Sequence, residues 1–279
     1  MNKGYDLLVV EDEPVVLSAI KKIIESENLT MDEAADADTA LKKLKTASYS
    51  LLITDLMLPK TSGFELLQAI RNEYPKLPVI VITGYATLES ALQAFKLGSF
   101  DFIAKPFDME TFLGVVERGL KYSLEQQENP SYSRDCLPEA AGKEDERWSG
   151  DIYCLGSHAW TKLFDDGAAE VGVGETFPHM IENLDRIEII SVGEEIIMGK
   201  CCARFWTKEG MVNMFWAPLS GKVIAVNHAV EENPAMLNSV PYLKGWLLRI
   251  IPTNLESELG QLDCCFRKKT AEEGQVKTG

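Results

Sequence analysis

The stretch Leu51-Leu52-Ile53-Thr54-Asp55-Leu56-Met57-Leu58-Pro59-Lys60 constrains the fold of this chain more than any other. It reads as an apolar strand that carries one carboxylate, Asp55, to its C-terminal end and then turns at Pro59. In an open α/β sheet, ligands and chemistry lie outside the carboxyl ends of the strands. Tyr5 to Val10 is a second apolar run, and it stops on Glu11-Asp12-Glu13. Further strands are predicted over Thr30 to Ala35, Pro78 to Thr83 and Phe100 to Ala104. A helix opens at Pro14, with Val16, Ala19, Ile20, Ile23 and Ile24 at helical spacing. Others are predicted over Ala37 to Leu44, from Ser62-Gly63 towards Arg71, through Leu88, Ala91, Leu92 and Phe95, and from Met109 towards Leu124. Apolar strands alternating with helices predict a five-stranded parallel α/β sheet covered on both faces.

Four of these strands finish on polar groups: Glu11-Asp12, Asp55, Thr83 and Lys105. Carboxylates brought to one point repel each other unless a cation shares them. Mg²⁺, a hard ion that takes one or two carboxylates and keeps several waters, suits that role. A lysine in the same cleft neutralises a transferred phosphoryl oxygen, and a threonine hydroxyl donates to another. The aspartate itself can act as a nucleophile and carry an aspartyl-phosphate. The bland alternative is a set of unrelated strand-end caps and surface charges.

These residues resemble the receiver domain of bacterial response regulators, which has a flavodoxin-like fold and takes a phosphoryl group from a histidine kinase. The match covers residues 5 to about 122 and rests on Glu11-Asp12, on Asp55 within Thr54-Asp55-Leu56-Met57-Leu58-Pro59, on Thr83, and on Lys105-Pro106-Phe107. The resemblance implies that Asp55 is the phosphoacceptor, with Thr83 and Lys105 as its catalytic partners. It implies Mg²⁺ held by Glu11, Asp12, Asp55 and the backbone carbonyl of Met57. It also makes Thr83 and Phe102 the switch pair, although a packed aromatic on this strand needs no such role. A sensor histidine kinase or phosphotransfer protein is the implied partner, and a homodimer through the receiver is compatible with it. No activity is expected beyond phosphoryl acceptance and autodephosphorylation.

A length of 279 residues fits two domains. The formal net charge of -15 opposes contact with nucleic acid phosphates or anionic lipid. No apolar run reaches the roughly 18 residues of a membrane span, and the start reads as a strand rather than a signal peptide, so the cytoplasm is the expected location. Expected boundaries are a receiver at 1–124, a flexible linker at 125–149, a second domain at 150–264 and a disordered tail at 265–279. A linker of this length argues against rigid coupling of the two domains. The six cysteines do not suggest a disulfide framework. Cys201-Cys202 and Cys264-Cys265 each read as one buried and one exposed thiol on a strand.

The second half is rich in short strands. Ala159 to Phe164 and Ala168 to Val173 flank the turn Asp165-Asp166-Gly167, a hairpin signal. A short helix is predicted near Thr176 to Glu182, then strands over Arg186 to Ser191, Glu194 to Trp206, Met211 to Trp216, Lys222 to Asn227 and Gly245 to Ile251. A last helix is predicted near Asn254 to Leu262. Spaced Gly and Pro suggest a mostly-β flattened barrel or sandwich.

His158-Ala159-Trp160, Val171-Gly172-Val173, Ala217-Pro218-Leu219-Ser220-Gly221-Lys222-Val223 and Gly245-Trp246-Leu247 resemble the H protein of the glycine cleavage system, a lipoyl-lysine carrier. In that family the modified lysine sits at a hairpin tip and follows Glu-Ser-Val or a close variant. The corresponding segment here, Phe205-Trp206-Thr207-Lys208-Glu209-Gly210-Met211, lacks the glutamate and the serine. Lipoate is therefore not expected. The favoured reading is a response regulator whose H-like output works by contact with a protein target that the sequence does not name. The alternative is a phosphorylation-regulated carrier with lipoate on Lys208. Met211, Met214, Phe215 and Trp216 replace a more polar family segment. They form an apolar contact patch if they project outward, or divide between core and surface if they alternate. His158 and His179 read as structural.

Overall fold

A computed structural model describes residues 3–128, 148–177, 183–239 and 241–267. The N-terminal half runs β1 (Lys3–Val10), α1 (Pro14–Ser26), β2 (Met31–Ala34), α2 (Ala37–Leu44), β3 (Ala47–Asp55), α3 (Gly63–Glu73), β4 (Val79–Thr83), α4 (Leu88–Lys96), β5 (Asp101–Ala104) and α5 (Met109–Glu128). The strands form one parallel sheet in the order β2-β1-β3-β4-β5. Local chemistry sets the helix starts. Pro14 occupies the first turn of α1, and the Asp36 carboxylate accepts the Thr39 N–H at the head of α2. Ser62 and Glu65 close a reciprocal capping box on α3, and Thr87 and Ser90 do the same on α4. The middles of β1, β3 and β4 are buried on both faces, which is why they read as unbroken apolar runs.

The C-terminal half contains β6 (Trp148–Leu155), β7 (Ala159–Phe164), β8 (Ala169–Val173), β9 (Leu184–Ile189), β10 (Glu195–Ile196), β11 (Cys201–Thr207), β12 (Val212–Trp216), β13 (Gly221–Val226), α6 (Ala229–Glu232), α7 (Met236–Ser239), β14 (Trp246–Pro252), α8 (Leu255–Leu259) and β15 (Asp263–Arg267). Seven strands pair in the order β10-β13-β14-β8-β7-β6-β15, and β12-β11-β9 form a second sheet. Every neighbouring pair is antiparallel, consistent with a flattened sandwich. No helix among the described residues is long and apolar enough to cross a membrane.

Several expectations are corrected. The single strand expected over Glu194 to Trp206 is divided into β10 and β11, because the chain turns at Gly199 in a left-handed conformation (φ 70°). Residues 125–128 belong to α5, and 148–149 belong to β6. The remainder of the expected linker, 129–147, lies outside the described residues. Residues 265–267 belong to β15 rather than to a tail, because their backbone pairs with β6. Cys265 bonds to Cys154 across that pair as a disulfide, with Cα atoms 6.0 Å apart. His179 and most of the helix expected near Thr176 to Glu182 also lie outside the described residues, as does 268–279.

The two halves meet. Gly114 on α5 abuts β12 so closely that a Cβ there would lie 2.6 Å from the Val212 carbonyl oxygen. Met211 packs on the apolar cluster formed by β1, α1, β3, β4, β5 and α5. Phe95 of α4 lies 4.7 Å, centroid to centroid, from the His158 ring. At the centre Arg118 of α5, 1% exposed, pairs with Asp101 of β5. Its Nε donates to Asn213 Oδ1 at 2.9 Å and its Nη1 to Thr176 Oγ1 at 3.1 Å. Its guanidinium also lies over Phe100 and Phe177, at 4.9 and 4.3 Å. Coupling is thus made by surface contact, whatever the connecting segment does.

Candidate functional site

The carboxyl edge of the parallel sheet collects the charged strand ends. Asp55, 3% exposed, is the last residue of β3, and Glu11, 1% exposed, directly follows β1. Asp12 is exposed beside them, and each of the three acids offers an oxygen within 4.8 Å of the others. Lys105 lies just beyond β5. Its Nζ donates to Asp55 Oδ2 at 2.6 Å and to Glu11 Oε2 at 2.7 Å, with Glu13 Oε1 at 3.5 Å. The Met57 N–H donates to Asp55 Oδ1 at 3.0 Å, so both carboxylate oxygens are oriented. Thr83 is wholly buried at the end of β4, on the strand that pairs with β3. Its hydroxyl accepts the Tyr85 N–H at 3.1 Å, leaving its own proton to donate elsewhere. The Thr83 carbonyl accepts the Lys105 N–H at 2.8 Å, tying the ends of β4 and β5 together.

The backbone beneath Asp55 is closely fitted. The Gly63 N–H donates to the Leu56 carbonyl at 2.9 Å, and a Cβ at Gly63 would lie 2.1 Å from the Asp55 carbonyl oxygen. Only glycine lets α3 begin this close to the carboxylate-bearing strand. The Lys105-Pro106 peptide is cis.

Burial raises the Glu11 carboxyl above its ordinary range, and the hydrogen bond from Lys105 opposes the shift. Burial acts on Lys105 as the largest single influence and lowers it. Its hydrogen bonds to Asp55 and Glu11 together outweigh this, so the ammonium is held. Three hard oxygen donors around one point are a fitting donor set for Mg²⁺. The sequence-predicted residues Glu11, Asp12, Asp55, Thr83 and Lys105 are therefore at one edge, with Met57 contributing its N–H to Asp55. Phe102 lies on β5 and lines a cavity of about 140 Å³, closed on the far side by Met214 and Trp216 of β12. Lys208 is not in this cluster. It is exposed in the β11–β12 turn, where its N–H donates to the Asn183 carbonyl at 2.8 Å.

Two features escaped the sequence reading. Glu13 was legible only as part of an acidic stop, yet it reaches Lys105. Arg118 carries a weaker signal, its position three residues after the buried Val115, which puts a charge on the apolar face of α5.

Comparison with known proteins agrees with this layout. Residues 7–117 match the response regulator receiver domain model, and residues 152–273 match the glycine cleavage H-protein model. The nitrogen assimilation regulatory protein NtrX of Azorhizobium caulinodans is 36% identical over 120 residues, covering 42% of this chain and 26% of that protein. The DNA-binding transcriptional regulator NtrC of Proteus hauseri is 32% identical over 128 residues, covering 46% and 27%. The chain thus spans about a quarter of the length of these relatives. Among solved structures, the receiver domain of NtrX from Brucella abortus is 35% identical and covers 42% of this chain and 98% of that one, with a TM-score of 0.40.

Proposed function

From a chain in which a response regulator receiver domain is followed by a glycine cleavage H-protein-like domain, we propose a phosphorylation-dependent signalling protein acting through protein contact. The receiver ends with α5, and the H-like domain spans β6 to β15. Asp55 takes a phosphoryl group from a sensor histidine kinase or phosphotransfer protein in the cytoplasm. The observation that carries the reading is the Asp55 carboxylate at the sheet edge, bonded to Lys105 at 2.6 Å beside Glu11 and Asp12.

In that reaction an Asp55 oxygen attacks phosphorus while the bond from phosphorus to the donor atom breaks, and the leaving group keeps the electron pair. The carboxylate is already an anion, so no base is needed. Glu11, Asp12 and Asp55 would hold Mg²⁺, which supplies positive charge to the phosphoryl oxygens. Lys105 moves from the carboxylate to one of those oxygens, and the Thr83 hydroxyl donates to another. Attack by water later returns the carboxylate and inorganic phosphate.

The carrier alternative is disfavoured by the hairpin that would bear the arm. The β11–β12 hairpin is packed on α5, and Asn183, which holds the Lys208 N–H, also reaches Glu117 of α5 at 3.5 Å. An arm that visits successive enzymes needs its hairpin free. Incubation with acetyl phosphate and Mg²⁺ should phosphorylate the wild type and leave Asp55→Asn unlabelled. Label persisting in that variant sinks the assignment.

A further inference from the structure

The seven-stranded sheet has a second apolar face. Alternation sends Leu155 and Ala159 to the core shared with the receiver and turns their neighbours Cys154 and Trp160 to the other side. There Ile152, Trp160 and Phe164 are buried, with Cys154, Tyr242 and Phe266 packed around them. Trp160 lies so close over β8 that a Cβ at Gly172 would sit 2.3 Å from its ring. Its indole N–H is buried and has no hydrogen-bond partner among the described residues. Beside Trp160 opens a cavity of about 200 Å³, lined also by Tyr242, Glu175, Asp263 and both residues of the Cys154–Cys265 bond.

Thiol exchange depends on access of a thiolate to sulfur, so a disulfide that serves only to tie two strands is safest out of reach. Cys154 and Cys265 are instead half-buried on the wall of this cavity. Their surroundings differ. Cys154 is on β6, with Asp263 of β15 opposite on one side and Trp160 of β7 on the other. Cys265 is on the edge strand β15, where the register with β6 shifts between Cys264 and Phe266. A sulfur on an edge strand can depart with its strand, whereas one inside the sheet is held on both sides. The size of the cavity sets the class of thiol, because drug-sized ligands need roughly 300–1,000 Å³. Carboxylates of Asp263 and Glu175 on the wall favour a thiol that carries an ammonium group.

We propose that this cavity is a thiol-exchange site, at which a small aminothiol of the size of cysteine becomes disulfide-bonded to Cys154. The incoming thiolate attacks the Cys154 sulfur and a new S–S bond forms. The Cys154–Cys265 bond breaks, and its electron pair leaves on Cys265, which takes up a proton. No net oxidation takes place, and attack by the Cys265 thiolate in the reverse direction releases the aminothiol. The adduct lies against Trp160 and Tyr242, and β15 is then without its covalent tie to β6.

The test uses the full chain and its Cys264→Ser variant, which lacks the neighbouring free thiol. Each would be incubated with cysteine, glutathione or 2-mercaptoethanol at equal thiolate concentration, quenched with iodoacetamide and mapped by peptide mass spectrometry. Cysteine should be found on Cys154 and the alkyl group on Cys265, in both proteins. The ratio of cysteine to glutathione rates should be roughly tenfold or more higher in folded protein than in urea, where access is equal. Tyr242→Ala, which widens the cavity, should move that ratio most of the way to its value in urea. Asp263→Asn should lower the rate with cysteine relative to 2-mercaptoethanol. Folded protein that forms no adduct, or a cysteine-to-glutathione ratio unchanged by folding, overturns the proposal. So does an adduct carried on the 263–267 segment in place of Cys154, and an Asp263→Asn ratio equal to wild type overturns the choice of an aminothiol.

Discussion

His158 has no surface exposure, yet it is the kind of residue that titrates near neutrality. Its ring stacks on Phe215 at 5.5 Å and meets Phe177 edge-on at 5.0 Å, with Phe95 of the receiver on another side. Nε2 accepts the Trp216 N–H at 2.9 Å, which assigns the proton of the neutral ring to Nδ1. Burial pushes its pKa well below the ordinary value, and the Arg118 charge pushes the same way. The sign follows directly. Below about pH 6.5 the unfolded chain binds a proton at this position and the folded chain does not, so stability falls as pH falls. The slope is about 1.4 kcal/mol per pH unit between the unfolded and folded pKa values. His158→Gln keeps an acceptor and removes the titration. Urea midpoints measured from pH 7 to pH 5 should therefore decline less steeply in the variant, whatever its absolute stability. Identical slopes would show that His158 is protonated in the folded protein. Its structural reading was available from sequence, but its location against Phe95 was not, because nothing local encodes a partner 63 positions away.

Strands that were legible are the ones whose pattern is self-sufficient. β1, β3 and β4 are buried on both faces, so an unbroken apolar run identifies them. The carboxylate cluster followed, because in a parallel sheet every strand delivers its C-terminal residue to the same edge. β6 and β15 lack such a pattern, and each depends on the other for much of its definition: Asp263 pairs with Cys154 and Cys264 with Tyr153, across more than a hundred residues. Cysteine spacing could not reveal the Cys154–Cys265 bond for the same reason. Closing a loop of 111 residues restricts the unfolded chain and contributes about 2–4 kcal/mol. Denatured protein should accordingly show two more reactive thiols after reduction than before. Cys265→Ser should speed amide exchange over 263–267 relative to β7 and β8. Equal thiol counts before and after reduction would remove the bond from the account of this edge.

Across the whole molecule, the apolar patch of β12 divides its labour. Phe215 belongs to the H-like core, whereas Met211, Met214 and Trp216 face the receiver. Within β12 alternation sets Phe215 on the core face and Met214 and Trp216 on the other, while Met211 reaches the receiver from the turn before the strand. One apolar cluster runs from Leu8, Phe95 and Phe102 to Ala159, Phe177 and Phe215, so the halves share core rather than merely touch. At its edge Arg118, paired with Asp101 inside the receiver, donates across to Asn213 and Thr176 of the other half, and these bonds are what keep its buried charge satisfied on that side. Unfolding either half alone would strip the other of these contacts, which couples the two transitions. All the tryptophans lie in the H-like half, with Trp216 against the receiver, whereas far-UV circular dichroism at the helical minimum is dominated by α1 to α5 of the receiver. In urea the two signals should superimpose for the wild type. Gly114→Ala wedges the halves apart while favouring α5, so its two curves should separate, with the emission midpoint falling further than the dichroism midpoint. Separate curves in the wild type would mean that the shared cluster adds no cooperativity between the halves, and superimposed curves in both proteins would mean that the coupling does not depend on the Gly114 contact.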